Sequence, residues 1–289
     1  TAIDAWIADE SAATEIYGDI NTWDVSAVTD FSNLFYGKDF NSDISGWDVS
    51  KGTDFSTMFG DCSSFNQDIS DWDVSNGTDF TYMFIDAQSF NQDLGAWDVG
   101  NGSSFYGMFY DATSFNQDIS NWNVGNGTSF RYTFFGAAAF NQDLSDWDVS
   151  QVTSFNMMFA SASSFNQDIS NWDVGKALSF YGMFSNANSF NQDLSSWDVG
   201  NAHNFSAMFY NATTFNQDIS YWDVGNSIDF TGMFDGAESF DQDIRYWNVD
   251  INATLNNMFS HLMISNQGFD ETPLATDFGK VRDTTPPSF

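Results

Sequence analysis

Positive charge is nearly missing from this chain: 7 Lys and Arg stand against 40 Asp and Glu in 289 residues, a formal charge of −33. Such a surface repels phosphate backbones and anionic headgroups, which excludes nucleic acid and insertion at an anionic membrane while leaving cations as admissible partners. Glutamate is scarce as well, with only Glu10, Glu15, Glu238 and Glu271, so the acidity belongs to aspartates at particular positions rather than to a general solubilising coat. Cys62 is the single cysteine, which rules out an internal disulfide framework and a thiolate metal cluster. No run is apolar enough to span a bilayer. The two histidines, His203 and His261, lack metal-ligand spacing, and no GxSxG-type nucleophile motif accompanies the serines, so no enzyme activity is expected.

What is present is a large apolar payload. Hydrophobic residues make up 42% of the chain and aromatic residues 18%, enough to build a core in spite of the charge. Tryptophan recurs at Trp23, Trp47, Trp72, Trp97, Trp122, Trp147, Trp172, Trp197, Trp222 and Trp247, every 25 residues after a first step of 24. A fixed period of this length marks stacked repeats; propeller blades need about 40 residues or more.

One unit, FNQDISDWDVSNGTDFTYMFIDA from Phe65 to Ala87, divides into halves of different period. Phe65, Gln67 and Ile69 alternate with Asn66, Asp68 and Ser70, which predicts a short strand. DVSNGT is a turn. Phe80, Met83 and Phe84 fall at i, i+3 and i+4, which predicts one short helical or 3-10 turn capped by Thr78 or Asp79. The expected architecture is a leucine-rich-repeat-like solenoid of about ten coils, each a short parallel strand plus a helical turn, with Trp, Phe, Met and Ile columns as its core. Residues 1–20 are expected to form an N-terminal helical cap, 21–260 the solenoid, 261–279 a C-terminal cap and 280–289 a linker. The chain reads as a mature or excised segment of a longer protein.

The repeats FNQDISNWDVGNGTSF and their sisters, each followed by MF and an A-x-S-F return, resemble the 25-residue surface repeat of Mycoplasma lipoproteins, related to BspA-like leucine-rich-repeat surface proteins. The resemblance covers residues 18 to 260. It implies a right-handed solenoid on an extracellular bacterial protein with a role in adhesion, and it brings no catalytic residue. Two departures stand out: Gly52, Gly77, Gly102 and Gly127 replace the usual Val before Thr, and Leu34 and Thr133 replace the motif Met. Both point to local variation in coil geometry. The tail KVRDTTPPSF resembles the lead-in to immunoglobulin-like or cadherin-like domains, which would make the chain one monomeric module of a long adhesin.

Two aspartate columns carry much of the charge. Asp43, Asp68, Asp93, Asp118, Asp143, Asp168, Asp193, Asp218 and Asp243 form an unbroken one; the column from Asp24 to Asp223 is interrupted by Asn123 and Asn248. At about 4.8 Å between coils, like charges sit side by side. Either each carboxylate accepts turn amides, or Asp68, Asp93, Asp118, Asp143, Asp168, Asp193 and Asp218 hold calcium through oxygen ligands. No EF-hand loop or glycine-rich nonapeptide accompanies them. Ligand selectivity is placed where the repeats differ, at Tyr82, Tyr106, Tyr110, Arg131, Tyr132, Phe135, Tyr181 and Tyr210, all expected to be exposed and suited to a surface glycan or protein of another cell. The alternatives are a structural spacer or filament subunit and, last, ice binding by the column Thr29, Thr53, Thr78, Ser103, Thr128 and Thr153, which Leu178, His203 and Ile228 interrupt.

Overall fold

The computed structural model describes residues 1–259 and 272–279. Two helices open it, α1 (Ala2–Ala8) and α2 (Glu10–Tyr17). The break at Asp9 is local chemistry: its extended backbone ends α1 while its carboxylate accepts the Ala12 N–H, capping α2. Gly18, at φ 75°, ends α2. Ile3, Trp6 and Ala13 are buried against the first repeat, where the Trp6 indole meets Trp23 edge-on at 5.9 Å and donates to Ser42 Oγ at 2.9 Å. Ile16 and Tyr17 of α2 are exposed, because the break at Asp9 resets the helical phase.

From Ile20 onward the chain is a tandem array in which each repeat lies on the next. Three phenylalanine columns and the tryptophan column run through it. Phe59 stacks on Phe65 of its own repeat at 4.0 Å and on Phe84 of the next at 5.6 Å, and that arrangement repeats along the array. Each such aromatic pair adds about 0.5–1.5 kcal/mol beyond its buried area. From Trp72 to Trp247 each indole N–H donates to an Ile or Leu carbonyl 28 residues earlier, as Trp122 does to Leu94 at 2.9 Å. A buried polar group thus becomes a tie between repeats.

The two halves of the unit differ from their expected form. Among the described residues no strand or α-helix occurs inside a repeat, and a 3-10 helix only in the first, at Ile20–Thr22; the regular pairing consists of isolated parallel bridges, such as Asp79 with Ser104. The bridges lie at the start of the segment expected to be helical. There the N–H groups of Phe80, Tyr82, Phe84 and Asp86 donate to Ser104, Tyr106, Met108 and Tyr110 of the next repeat at 2.7–3.0 Å. Those of Met83, Ile85 and Ala87 turn back three residues, to Phe80, Tyr82 and Phe84. Every N–H from Phe80 to Ala87 is accounted for, since Thr81 donates to the Asp79 carboxylate. The turns closed by Met83 and Ala87 have φ of 54° at Tyr82 and 55° at Asp86, the positive third position of a type II turn. Two such turns four residues apart bury Phe80, Met83, Phe84 and Ala87 together. That inward spacing imitates a helix.

The segment expected to be a strand forms none and is tied to its neighbours by side chains. Asn66 Oδ1 accepts the Asn91 N–H at 2.9 Å and the Gln92 side-chain amide at 2.9 Å, and the column continues through Asn91, Asn116, Asn141, Asn166, Asn191 and Asn216 to the N–H of Asp241. An amide ladder takes the place of backbone pairing.

The array contains a seam. Gly52, Gly77, Gly102 and Gly127 leave room for the ring of the phenylalanine three residues on; a Cβ on Gly102 would lie 2.6 Å from Phe105 Cζ. From Val152 onward a side chain fills this space, and Phe155, Phe180 and Phe205 stack on Trp172, Trp197 and Trp222, 17 residues on, at 5.6–5.8 Å. Where the two arrangements meet, the ring stack linking this column is interrupted between Phe130 and Phe155, and no bridge joins Ser129 to Ser154, although both neighbouring bridges are present. Ser154 Oγ is buried there without a hydrogen-bond partner among the described residues. Removing an unsatisfied buried hydroxyl relieves its desolvation cost, so Ser154→Ala is expected to stabilise the protein by about 1 kcal/mol in chemical denaturation; a loss of that size would show that the hydroxyl is held.

At the far end, Phe278 is buried, the Gly279 N–H donates to Trp247 O at 2.9 Å, and the Asn257 N–H donates to Thr272 Oγ1 at 3.0 Å. His261 and the expected linker at 280–289 lie outside the described residues.

Candidate functional site

The ladder of turns presents four outward columns per repeat, at the positions of Thr81, Tyr82, Ile85 and Asp86. Their identities change along the array while the backbone does not, so one scaffold carries different surfaces at different heights.

In the early repeats the columns converge on an aromatic ridge. Tyr82 meets Tyr106 edge-on at 5.0 Å, Tyr106 meets Tyr132 at 5.6 Å, and Tyr110 stacks on Phe135 at 4.5 Å. Tyr110 and Tyr132 lie 6.1 Å apart. The Arg131 guanidinium sits 5.8 Å from the Tyr106 ring and 6.0 Å from Tyr132, a cation–π placement that fixes its head over the ridge. Six of the eight residues picked from sequence are therefore contiguous. Only Arg131 among them is exposed; the rings are half-buried, packed on one another between repeats. Tyr82 lies where a Cβ on Gly107 would be, so that glycine, at φ 57°, is what lets the ring lie flat.

Beside the ridge run Asp61, Asp86 and Asp111, which the sequence reading did not single out. Burial pushes the Asp86 and Asp111 carboxyls above the usual carboxylate range, and Asp111 and Asp61 push Asp86 further the same way. Burial also raises the Tyr110 phenol, followed in effect by Asp111 and Asp86. Three successive Asp residues in one turn column, at Asp61, Asp86 and Asp111, were the signal available in sequence.

Tyr181 and Tyr210 stand apart from the ridge. They flank a cleft of about 410 Å³ further along the same face, lined also by Ser206, Ala207, Asp229, Thr231, Gly232, Asp235 and Asn257.

The unbroken aspartate column lies elsewhere on the surface. In Asp68, Asp93, Asp118, Asp143, Asp168, Asp193 and Asp218 one carboxylate oxygen accepts the N–H two residues on, at 2.8–3.0 Å. The Ser70 hydroxyl and N–H hold Asp68 below the ordinary carboxylate range; for Asp118 and Asp168 the N–H of Ser120 and Ser170 leads. In the interrupted column Asn123 accepts the Gly125 N–H much as Asp73 accepts that of Ser75. Among the described residues no three acidic, His or Cys side chains gather as a metal centre. His203 is exposed, with Nδ1 3.0 Å from Asn226 O. No helix among the described residues is long and apolar enough to cross a membrane.

A family model described as "Mycoplasma protein of unknown function, DUF285" matches residues 7–122, 95–197 and 169–272. No curated protein matches the chain.

Proposed function

The chain belongs to this Mycoplasma-type, BspA-like repeat family, and from that premise we propose that it is the ligand-binding module of an extracellular bacterial adhesin. In this reading the stacked repeats form a stiff leucine-rich-repeat-like solenoid, and the aromatic ridge makes the contact with a glycan or protein on another cell. The observation that carries it is the ridge itself: five half-buried rings and a pinned guanidinium gathered on the one face where the repeats diverge. Tyrosines already held by their neighbours lose little entropy on binding and offer both area and a hydroxyl. The field of a −33 chain adds long-range attraction for a cationic partner surface, weakened by salt.

The role is one of binding rather than catalysis. Ice binding is the weaker reading, because Thr78, Ser103 and Thr128 point their hydroxyls at carbonyls of the preceding repeat at 3.0–3.3 Å instead of offering them to a lattice. Calcium would enter as a bridge between the outer oxygens of the aspartate columns.

The test is glycan- and peptide-array binding by the whole chain with calcium and with excess chelator, alongside Tyr110→Ala. Loss of the array signal by about tenfold or more in Tyr110→Ala, with an unchanged thermal midpoint, is the expected result for a central aromatic contact. Signal that survives the substitution would leave the protein as a rigid spacer. A midpoint that falls by many degrees on chelation would assign calcium to the columns.

A further inference from the structure

The ridge and the cleft are built on the same columns with opposite contents. In the Tyr82 column the early repeats hold Tyr82, Gly107, Tyr132 and Met157, and the large side chains before a glycine lie over it: Tyr82 over Gly107, Met157 over Gly182. From there the column reads Gly182, Ala207, Gly232. Met157 covers Gly182, but no large side chain follows it over Ala207 and Gly232, and the cleft lies there. Tyr181 and Tyr210, the latter 37% exposed, both line it.

We propose that this cleft is a binding site for uncharged pyranose units of an oligosaccharide, distinct from the aromatic ridge. Two tyrosines line it, and a tyrosine ring supplies an apolar face for the C–H side of a sugar and a hydroxyl for its rim. Its remaining lining is made of acceptors and small donors: the Asp229 and Asp235 carboxylates, the Thr231 hydroxyl and the Asn257 amide. One oxygen of Asp229 is held by the Thr231 N–H at 2.9 Å, which orients the carboxylate. Asp235 has no side-chain hydrogen bond among the described residues and lies at the cleft wall. A sugar hydroxyl is the donor that such carboxylates can take without a counter-charge. Among the described residues no Lys or Arg lines the cleft, so uronates, sulfated sugars and sialylated chains are repelled by its own carboxylates and by the field of the whole chain. The volume, about 410 Å³, lies within the range of small-ligand sites.

The array also supplies the substitution that tests this. Ala207 has φ 54°, as Tyr82 does, and is followed in its column by a glycine, as Tyr82 is. Ala207→Tyr therefore places a ring in a backbone the protein already uses for tyrosine, lying over Gly232 and filling the cleft. The experiment is calorimetric titration of the whole chain with cello-, malto-, laminari- and manno-hexaose and with oligogalacturonate. One or more neutral hexaoses are expected to bind and oligogalacturonate not to. Affinity should fall by about tenfold or more in Ala207→Tyr and in Tyr210→Ala, and be retained in Tyr110→Ala. Absence of binding by every neutral hexaose, binding that persists in Ala207→Tyr, or preference for oligogalacturonate would each overturn the assignment. The Tyr110→Ala arm keeps it separate from the ridge, whose failure as an adhesion surface would leave the titration unaffected.

Discussion

Trp122→Ala is expected to lower the unfolding free energy by about 4 kcal/mol, within the range for emptying a buried tryptophan site. Trp122 is 4% exposed, stacks on Trp147 at 6.3 Å, and packs against Phe109 and Phe105 at 6.2 and 6.4 Å. Its N–H donates to Leu94 O, but that carbonyl also accepts the Trp97 N–H at 3.0 Å, so the substitution orphans no buried acceptor. The loss is one of volume and ring contacts, and Trp122→Phe should recover more than half of it. Because each repeat touches only its neighbours, the damage stays local and the urea transition should broaden as well as shift. A loss below about 1 kcal/mol in urea titration followed by near-ultraviolet circular dichroism would mean that the column is less tightly packed than its geometry implies.

The second large effect is expected at a glycine. Gly102→Val should cost about 2–3 kcal/mol, in the range for forcing a side chain into a filled core. The new Cβ would lie 2.6 Å from Phe105 Cζ and 2.9 Å from Val99 O, and that carbonyl is fixed by accepting the Gly102 N–H at 2.8 Å. Phe105 would have to move toward Trp122, as Phe155 already lies against Trp172, and would give up its stacking on Phe80 and Phe130 at 5.7 and 5.2 Å. Val152 occupies the same column position without penalty because its phenylalanine and those after it have all moved together. If Gly102→Val melts with wild type, the two ring arrangements interconvert freely and the seam at Phe130 and Phe155 is not a packing boundary.

That contrast shows how far the sequence was legible. The replacement of Val by glycine in four repeats was visible as a departure from the pattern, and so was its restriction to the first half. Its meaning was not, because the partner of each glycine is a ring whose position depends on the rings above and below it. The helical reading of Phe80, Met83 and Phe84 failed for a related reason. Their inward spacing was right, but two turns with positive φ bury the same residues as one helical turn, and only the hydrogen bonds to the next repeat distinguish them. The alternation in FNQDIS led to a strand that did not form, because the ties of that segment to its neighbours pass through the Asn66 column of side-chain amides.

The candidate site divides along the same line. Variable columns and aromatic content selected eight positions, but spacing along the chain could not say that Tyr82, Tyr106, Tyr110, Arg131, Tyr132 and Phe135 touch one another while Tyr181 and Tyr210 flank a separate cleft. Nor did it draw in Asp86 and Asp111, whose effect on the ridge comes from burial beside it.

By itself the sequence determined the repeat length, the family, the residues of the core columns and the sign of the surface, since a strict period in which apolar residues recur needs no partner to be read. Tertiary structure alone decided which backbone groups pair, where the array changes its packing, and which outward side chains lean together, because each of those rests on a contact made about 25 residues away.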